Sequence, residues 1–223
     1  MLLRRFISSG GLLDSVRRLA QVGLYLLFLA GCASAPGPSE QQSEGSAADG
    51  EQLEARVVPE LATTMYEQAV AVMASGDELD AQLRFQEFLL QFPDYPGAHV
   101  NLAIIYAQNG NDQAAEGSIT DALIIDPEHP AALNQLGMLL RRQGKFPEAQ
   151  AAYSRAINAD PEYALPHYNL GVLNELYLRR MDLALLHFEY YQSLTGGDEQ
   201  VRKWIVDLKR RVEANQRTAN VTE

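Results

Sequence analysis

One cysteine, Cys32, one tryptophan and four histidines are all that 223 residues provide of the commonest ligating and anchoring side chains. A single cysteine excludes an internal disulfide and a thiolate-rich metal centre, so packing alone must hold the fold. His99, His129, His167 and His187 show no His-x3-His spacing, and neither a glycine-rich phosphate loop nor a serine nucleophile elbow is present. No metal, cofactor, small-molecule substrate or enzymatic activity is therefore expected. Long apolar runs are also missing: the clean core of the only candidate, residues 22–30, falls short of the roughly 20 residues a membrane span needs. Bases are scarce, with 18 Lys and Arg against 29 Asp and Glu and a net charge of −11, which argues against nucleic acid as a partner.

That short apolar run, with Arg4, Arg5, Arg17 and Arg18 before it and small residues after it, has the order of a secretory signal. Leu29-Ala30-Gly31-Cys32 at its end resembles the lipobox of bacterial lipoproteins. The resemblance implies acylation of Cys32, cleavage before it, and a signal peptide over 1–31. Two or more acyl chains hold stably at a membrane surface where one is marginal. Ala33 rather than aspartate follows the cysteine, which in that family implies sorting to the outer membrane with the body facing the periplasm. Removing residues 1–31 takes away four arginines and one aspartate and leaves a net charge of −14, while residues 201–223 carry +3. Residues 33–58 are rich in Ser, Ala, Gly, Gln and Glu. Together with lipidated Cys32 they are expected to form a flexible tether, 32–58, with a reach of about 30 Å.

Beyond the tether the sequence repeats. Pro93, Pro127 and Pro161, then Gly76, Gly110 and Gly144, then Ala81, Ala115 and Ala149 all recur every 34 residues. Each unit divides at its glycine into two runs with helical apolar spacing, as in Leu133, Leu136 and Leu140 followed by Ala149, Ala152, Tyr153 and Ala156. The glycine allows a tight turn and the Asp-Pro pair ends the second helix. A lone helix pair cannot bury both faces, so the units must stack. Leu136-Gly137, Leu140, Ala149, Tyr153, Ala156 and Pro161 resemble the tetratricopeptide repeat. The resemblance implies an all-α superhelical solenoid of antiparallel helix pairs, with four units at about 62–95, 96–129, 130–163 and 164–197 within 59–197. The outer units depart from the pattern. Phe88 replaces a small residue in the first, and the fourth lacks the turn glycine and needs one inserted residue to align Ala184. Val201, Trp204, Ile205 and Leu208 share one helical face, so a closing helix is expected over 198–217, followed by a tail at 218–223.

In that family the first helix of each pair lines a concave groove that holds peptide segments of other proteins. Carried over by position, the groove contains Tyr66, Val70 and Met73, then Asn101, Ile104 and Gln108, then Asn134, Met138, Arg141 and Arg142, then Tyr168, Asn169, Val172 and Glu175. The asparagines have two readings: amides that bond a peptide backbone, or a habit of the repeat itself. Arg141-Arg142 likewise reads either as a site or as a solvated helix end favoured by the dipole. The lysine-rich carboxylate clamp of some members is not expected, because the corresponding residues are Thr63, Gly97, Ala131 and Leu165. Phe188, Tyr190 and Tyr191 read as packing between the fourth unit and the closing helix.

Residues 167–211 also resemble the end of tetratricopeptide lipoproteins described as components of TonB-type energy-transducing systems, beside ExbB- and ExbD-like proteins. The implied function is that of an outer-membrane-anchored periplasmic adaptor for another envelope protein. Two alternatives stand: a pilotin-like lipoprotein for pilus or secretin assembly, and a scaffold for peptidoglycan enzymes.

Overall fold

The computed structural model describes residues 59–221, with side chains to 217. The expected signal peptide, Cys32, the tether and the side chains of the tail lie outside the described residues. Within them the chain forms nine helices: α1 (Glu60–Ser75), α2 (Glu78–Gln91), α3 (Pro96–Gln108), α4 (Asp112–Ile125), α5 (Pro130–Arg142), α6 (Phe146–Ala159), α7 (Ala164–Leu176), α8 (Met181–Thr195) and α9 (Glu199–Val221). None is long and apolar enough to cross a membrane.

The sequence punctuates these helices in ways that local chemistry explains. Gly76, Gly110 and Gly144 take φ of 89°, 74° and 75°, a region in which a Cβ is strained, and so end the first helix of units one to three. Asp126 and Asp160 then accept from the backbone N–H of Glu128 and Glu162 at 3.1 and 3.0 Å, turning the chain before the next unit. Pro96 and Pro130 open α3 and α5, where a missing N–H costs nothing. The fourth unit solves its turn without glycine. Leu178 N–H donates to Leu173 O at 3.0 Å, Arg180 N–H donates to Asn174 O at 2.8 Å, and Arg179 alone among the described non-glycine residues has positive φ, 55°.

Helices pack as consecutive antiparallel pairs, α1 with α2 through α7 with α8, each second helix then meeting the next first helix, and α9 closing on α8. First helices also touch across units, α3 with α5 and α5 with α7. This inner layer sets the concave side. The core between the helices of each pair is built from residues in one register: Ala69 and Phe85, Ala103 and Ile119, Gly137 and Tyr153, Gly171 and Phe188, all buried.

The ends explain why the outer units depart from the pattern. Ala98, Asn101, Leu102 and Ile105 of α3 are buried against unit one, while their counterparts one repeat earlier, Thr64, Glu67, Gln68 and Ala71, are mostly polar and all exposed. An end face of this kind keeps a stack soluble. Phe88 fills the space under α1 and joins Tyr66, Phe92 and Tyr95 in an aromatic cluster with centroids 5.1–5.7 Å from its ring. At the other end α9 seats Val201, Ile205 and Leu208 against Ala184, Phe188 and Tyr191. It runs past the expected residue 217, and an i, i+4 pair between Glu213 and Arg217 at 3.3 Å supports its last turns.

Candidate partner-binding groove

The first helices put Val70, Ile104, Met138 and Val172 at intervals of 34 residues. All four are half-buried. Each packs by its base on the core of its own unit, so together they form an apolar ladder along the inner layer. Tyr66 and Met73 lie beside its first rung, Gln108 is exposed at the end of α3, and Arg141 and Arg142 end α5.

The three asparagines are committed elsewhere. Asn101 Nδ2 donates to Tyr66 Oη at 3.0 Å, and Asn169 Nδ2 donates to Asn134 Oδ1 at 2.9 Å. Each bond joins one unit to the next through residues 35 apart. Asn134, 1% exposed, also bonds the Tyr163 hydroxyl, whose pKa burial drives far up. These amides are interior ties between first helices, and a buried amide held on both sides is costly to break.

At the C-terminal end Tyr168 lies under Trp204 of α9, centroids 6.1 Å apart, and Glu175 is bound by Arg211 at 2.8 Å. Between these contacts a small pocket of about 170 Å³ is lined by Val172, Glu175, Leu176, Phe188 and Trp204. The ladder therefore runs open from Val70 to Met138 and meets the closing helix at Val172. Arg142 is held by Asp112 at 2.6 Å and donates to Ala107 O at 3.2 Å, whereas Arg141 makes no ion pair among the described residues.

Two histidines far apart in sequence meet behind the groove. His167 Nδ1 and His187 Nδ1 lie 3.2 Å apart, and Tyr190 stacks on the His167 ring at 5.1 Å. One ring must donate and the other accept, so the two cannot both be protonated, and burial lowers the pKa of each. Burial, with His167 beside it, pushes His187 down from 6.5 to about 4. In the unfolded chain this imidazole takes up a proton near pH 6.5, while in the folded chain it does not until about pH 4, so acid favours unfolding across that window. Between pH 7.5 and 5.0 the urea-derived stability should fall by about 2 kcal/mol more than it does in His187→Gln. Equal losses in the two proteins would show that the pair does not titrate with folding. Among the described residues no group of three or more His, Cys, Asp or Glu is gathered for a metal.

Family profiles now bear on these units directly. Descriptions of the tetratricopeptide repeat match residues 66–130 and 119–151, and a TPR repeat description matches 137–176. The units are tetratricopeptide repeats. Repeats of this kind are scaffolds for protein–protein interaction. Solved structures agree on the fold. The pilF protein of Pseudomonas aeruginosa superposes with a TM-score of 0.62 at 21% identity, over 69% of each chain. The TPR protein TTC0263 of Thermus thermophilus gives 0.58 at 19%, over 67% of this chain and 82% of that one. MamA of Desulfovibrio magneticus RS-1 gives 0.55 at 16%, over 72% and 90%. At such identities the likeness is one of fold. No curated protein sequence matches the chain.

Proposed function

We propose that this tetratricopeptide protein is a lipid-anchored adaptor of the bacterial envelope that holds a segment of another envelope protein along its inner layer. The observation that carries the reading is the ladder of Val70, Ile104, Met138 and Val172, half-open to solvent and repeated at the period of the fold. A regular apolar row of this kind suits the apolar side of an amphipathic helix or the alternate side chains of an extended strand. The lipobox-like Leu29-Ala30-Gly31-Cys32 supports anchoring, with Ala33 pointing to the outer membrane and the body in the periplasm. The resemblance of residues 167–211 to lipoproteins of TonB-type systems makes such a system the first candidate for the partner. Binding rather than catalysis is the role proposed.

The test is site-specific photo-crosslinking in cells from Ile104 and Arg141, each replaced by a photoreactive residue. Gln68 on the polar end face serves as control, and Cys32→Ser as control for anchoring. A shared adduct from both groove positions, absent from the control, is the expected result. Its identity separates an energy-transducing partner from a secretin or a peptidoglycan enzyme. Adducts confined to the end face would refute the groove.

A further inference from the structure

The repeat register exposes a reversal of charge along one edge of the solenoid. At the turn between the two helices of each unit, positions 34 residues apart read Asp77-Glu78, Asn111-Asp112, Lys145-Phe146 and Arg179-Arg180. In units one and two this position caps the second helix: Asp77 accepts from Asp80 N–H and Asn111 from Ala114 N–H, both at 3.1 Å. In units three and four the N-cap residues are Lys145 and Arg180, and neither makes a side-chain cap bond. Two caps are forgone, and two cations stand at the positive ends of helix dipoles, where their charge is unfavourable. Beside them Arg179 holds the left-handed conformation that glycine takes in the other three units. Three local choices thus run against stability within one short edge.

Pairing sharpens the contrast. Residues 59–217 contain thirteen Lys and Arg. Nine are in ion pairs, including every base on α9. The remaining four, Arg141, Lys145, Arg179 and Arg180, form no ion pair among the described residues, and all four belong to this edge. Arg180 makes only a 3.4 Å bond to Gln150, which ties the two turns together, as does the stacking of Phe146 on Tyr177 at 4.8 Å. Leu176 and Tyr177 are exposed there as well. The helices that start at these turns carry Glu148 and Asp182 in their first turns, neither in an ion pair with the four cations, and Glu175 is already held by Arg211. Four uncompensated cations in so acidic a chain fit an anionic visitor.

We infer that the turn edge of units three and four docks an acidic segment of the partner protein, its carboxylates meeting Arg141, Lys145, Arg179 and Arg180 and an apolar side chain resting on Leu176 and Tyr177. This rests on the groove reading, since Arg141 and Leu176 end the helices that carry Met138 and Val172, and it names the chemistry of the segment's end. Unlike a clamp for a terminal carboxylate on the first helices, the edge recognises side-chain carboxylates from the helix turns.

The probe is a pair of fluorescein-labelled peptides, (Glu-Glu-Leu)4 and (Gln-Gln-Leu)4, titrated against the full chain in mild detergent by anisotropy. The Glu peptide should bind at least tenfold more tightly, with affinity falling steeply between 50 and 300 mM salt. Lys145→Asp and Arg179→Gly should each weaken it about fivefold or more while raising Tm by about 2–4 °C, because one restores a cap and the other relieves strain. That opposition of sign excludes misfolding as the cause. Equal binding of the two peptides, or unchanged affinity in both variants, overturns the inference. Residues 40–54 carry five carboxylates and no base. If deleting them raises affinity tenfold, the chain's own acidic stretch fills the edge and the partner assignment is overturned. Crosslinks from Ile104, which lies on the inner layer of unit two and is not one of the edge residues, report on the groove separately, so either reading can fail alone.

Discussion

Gly137→Ala should destabilise the protein by about 1–3 kcal/mol, a large cost for one methyl group. A Cβ at Gly137 would lie 2.5 Å from Cε1 and 2.6 Å from Cδ1 of Tyr153, and one at Gly171 would lie 2.6 Å from Cδ1 and Cε1 of Phe188. Both rings are fully buried, with little freedom to retreat. The same register in unit two carries Ala103 over Ile119, both in one buried cluster, so the methyl that unit three rejects is normal where the opposing side chain is smaller. Tyr153→Leu should therefore relieve the clash. Gly137→Ala costs its full amount in the native background and little or nothing in the Tyr153→Leu background, a coupling read from a double-mutant cycle of urea midpoints. Additive losses would mean that the close approach of α5 and α6 does not depend on this ring. The Tyr153 hydroxyl is buried without a hydrogen-bond partner among the described residues, and burial raises its pKa to about 12. Tyr153→Phe should accordingly be neutral or mildly stabilising.

The fold was legible because three residue types repeat in one register, and because glycine, proline and aspartate each end or start a helix for a local reason. The inner face was legible only by position. Asn101, Asn134 and Asn169 illustrate the limit: their helical phase places them toward the groove, but whether an amide is free depends on a partner 35 residues away in the neighbouring unit. Spacing within one helix carries no such information. The His167–His187 contact is hidden for the same reason, its two rings coming from different helices of unit four. The basic edge was visible in principle. Counting charge by segment conceals it, whereas reading Asp77, Asn111, Lys145 and, past the one inserted residue, Arg180 as one column of the repeat reveals a cap residue replaced by a cation. In a solenoid the informative comparison runs down the repeat, because each column meets the same environment and a departure from it needs a cause other than local stability.

Deleting residues 198–223 should remove more stability than any single substitution. Val201, Ile205 and Leu208 are buried, and at about 1.5–3 kcal/mol for each apolar side chain their loss amounts to about 5–9 kcal/mol, comparable with the whole stability of an ordinary domain. Deletion also bares Phe188 and Tyr191, since Trp204 covers Phe188 with ring centroids 5.6 Å apart. Stability in a stack is shared mainly between neighbours, so the fourth unit should unravel first while units one to three persist. Amide exchange should then show α7 and α8 losing protection and α3 to α5 keeping it. Trp204→Ala should reproduce part of the loss, about 3 kcal/mol. Lys209→Ala, which among the described residues loses one exposed ion pair with Glu189, should stay within about 0.5 kcal/mol. Retention of the native urea midpoint by the truncated chain would mean that α9 is not the cap, and that its apolar face is reserved for another surface. If the cap reading holds, α9 has a second consequence for binding. It occupies the place a fifth first helix would take, and by holding Glu175 through Arg211 and covering Tyr168 with Trp204 it closes the apolar ladder at Val172. A bound segment must then leave the groove across units three and four, over the turns that carry Arg141, Lys145, Arg179 and Arg180.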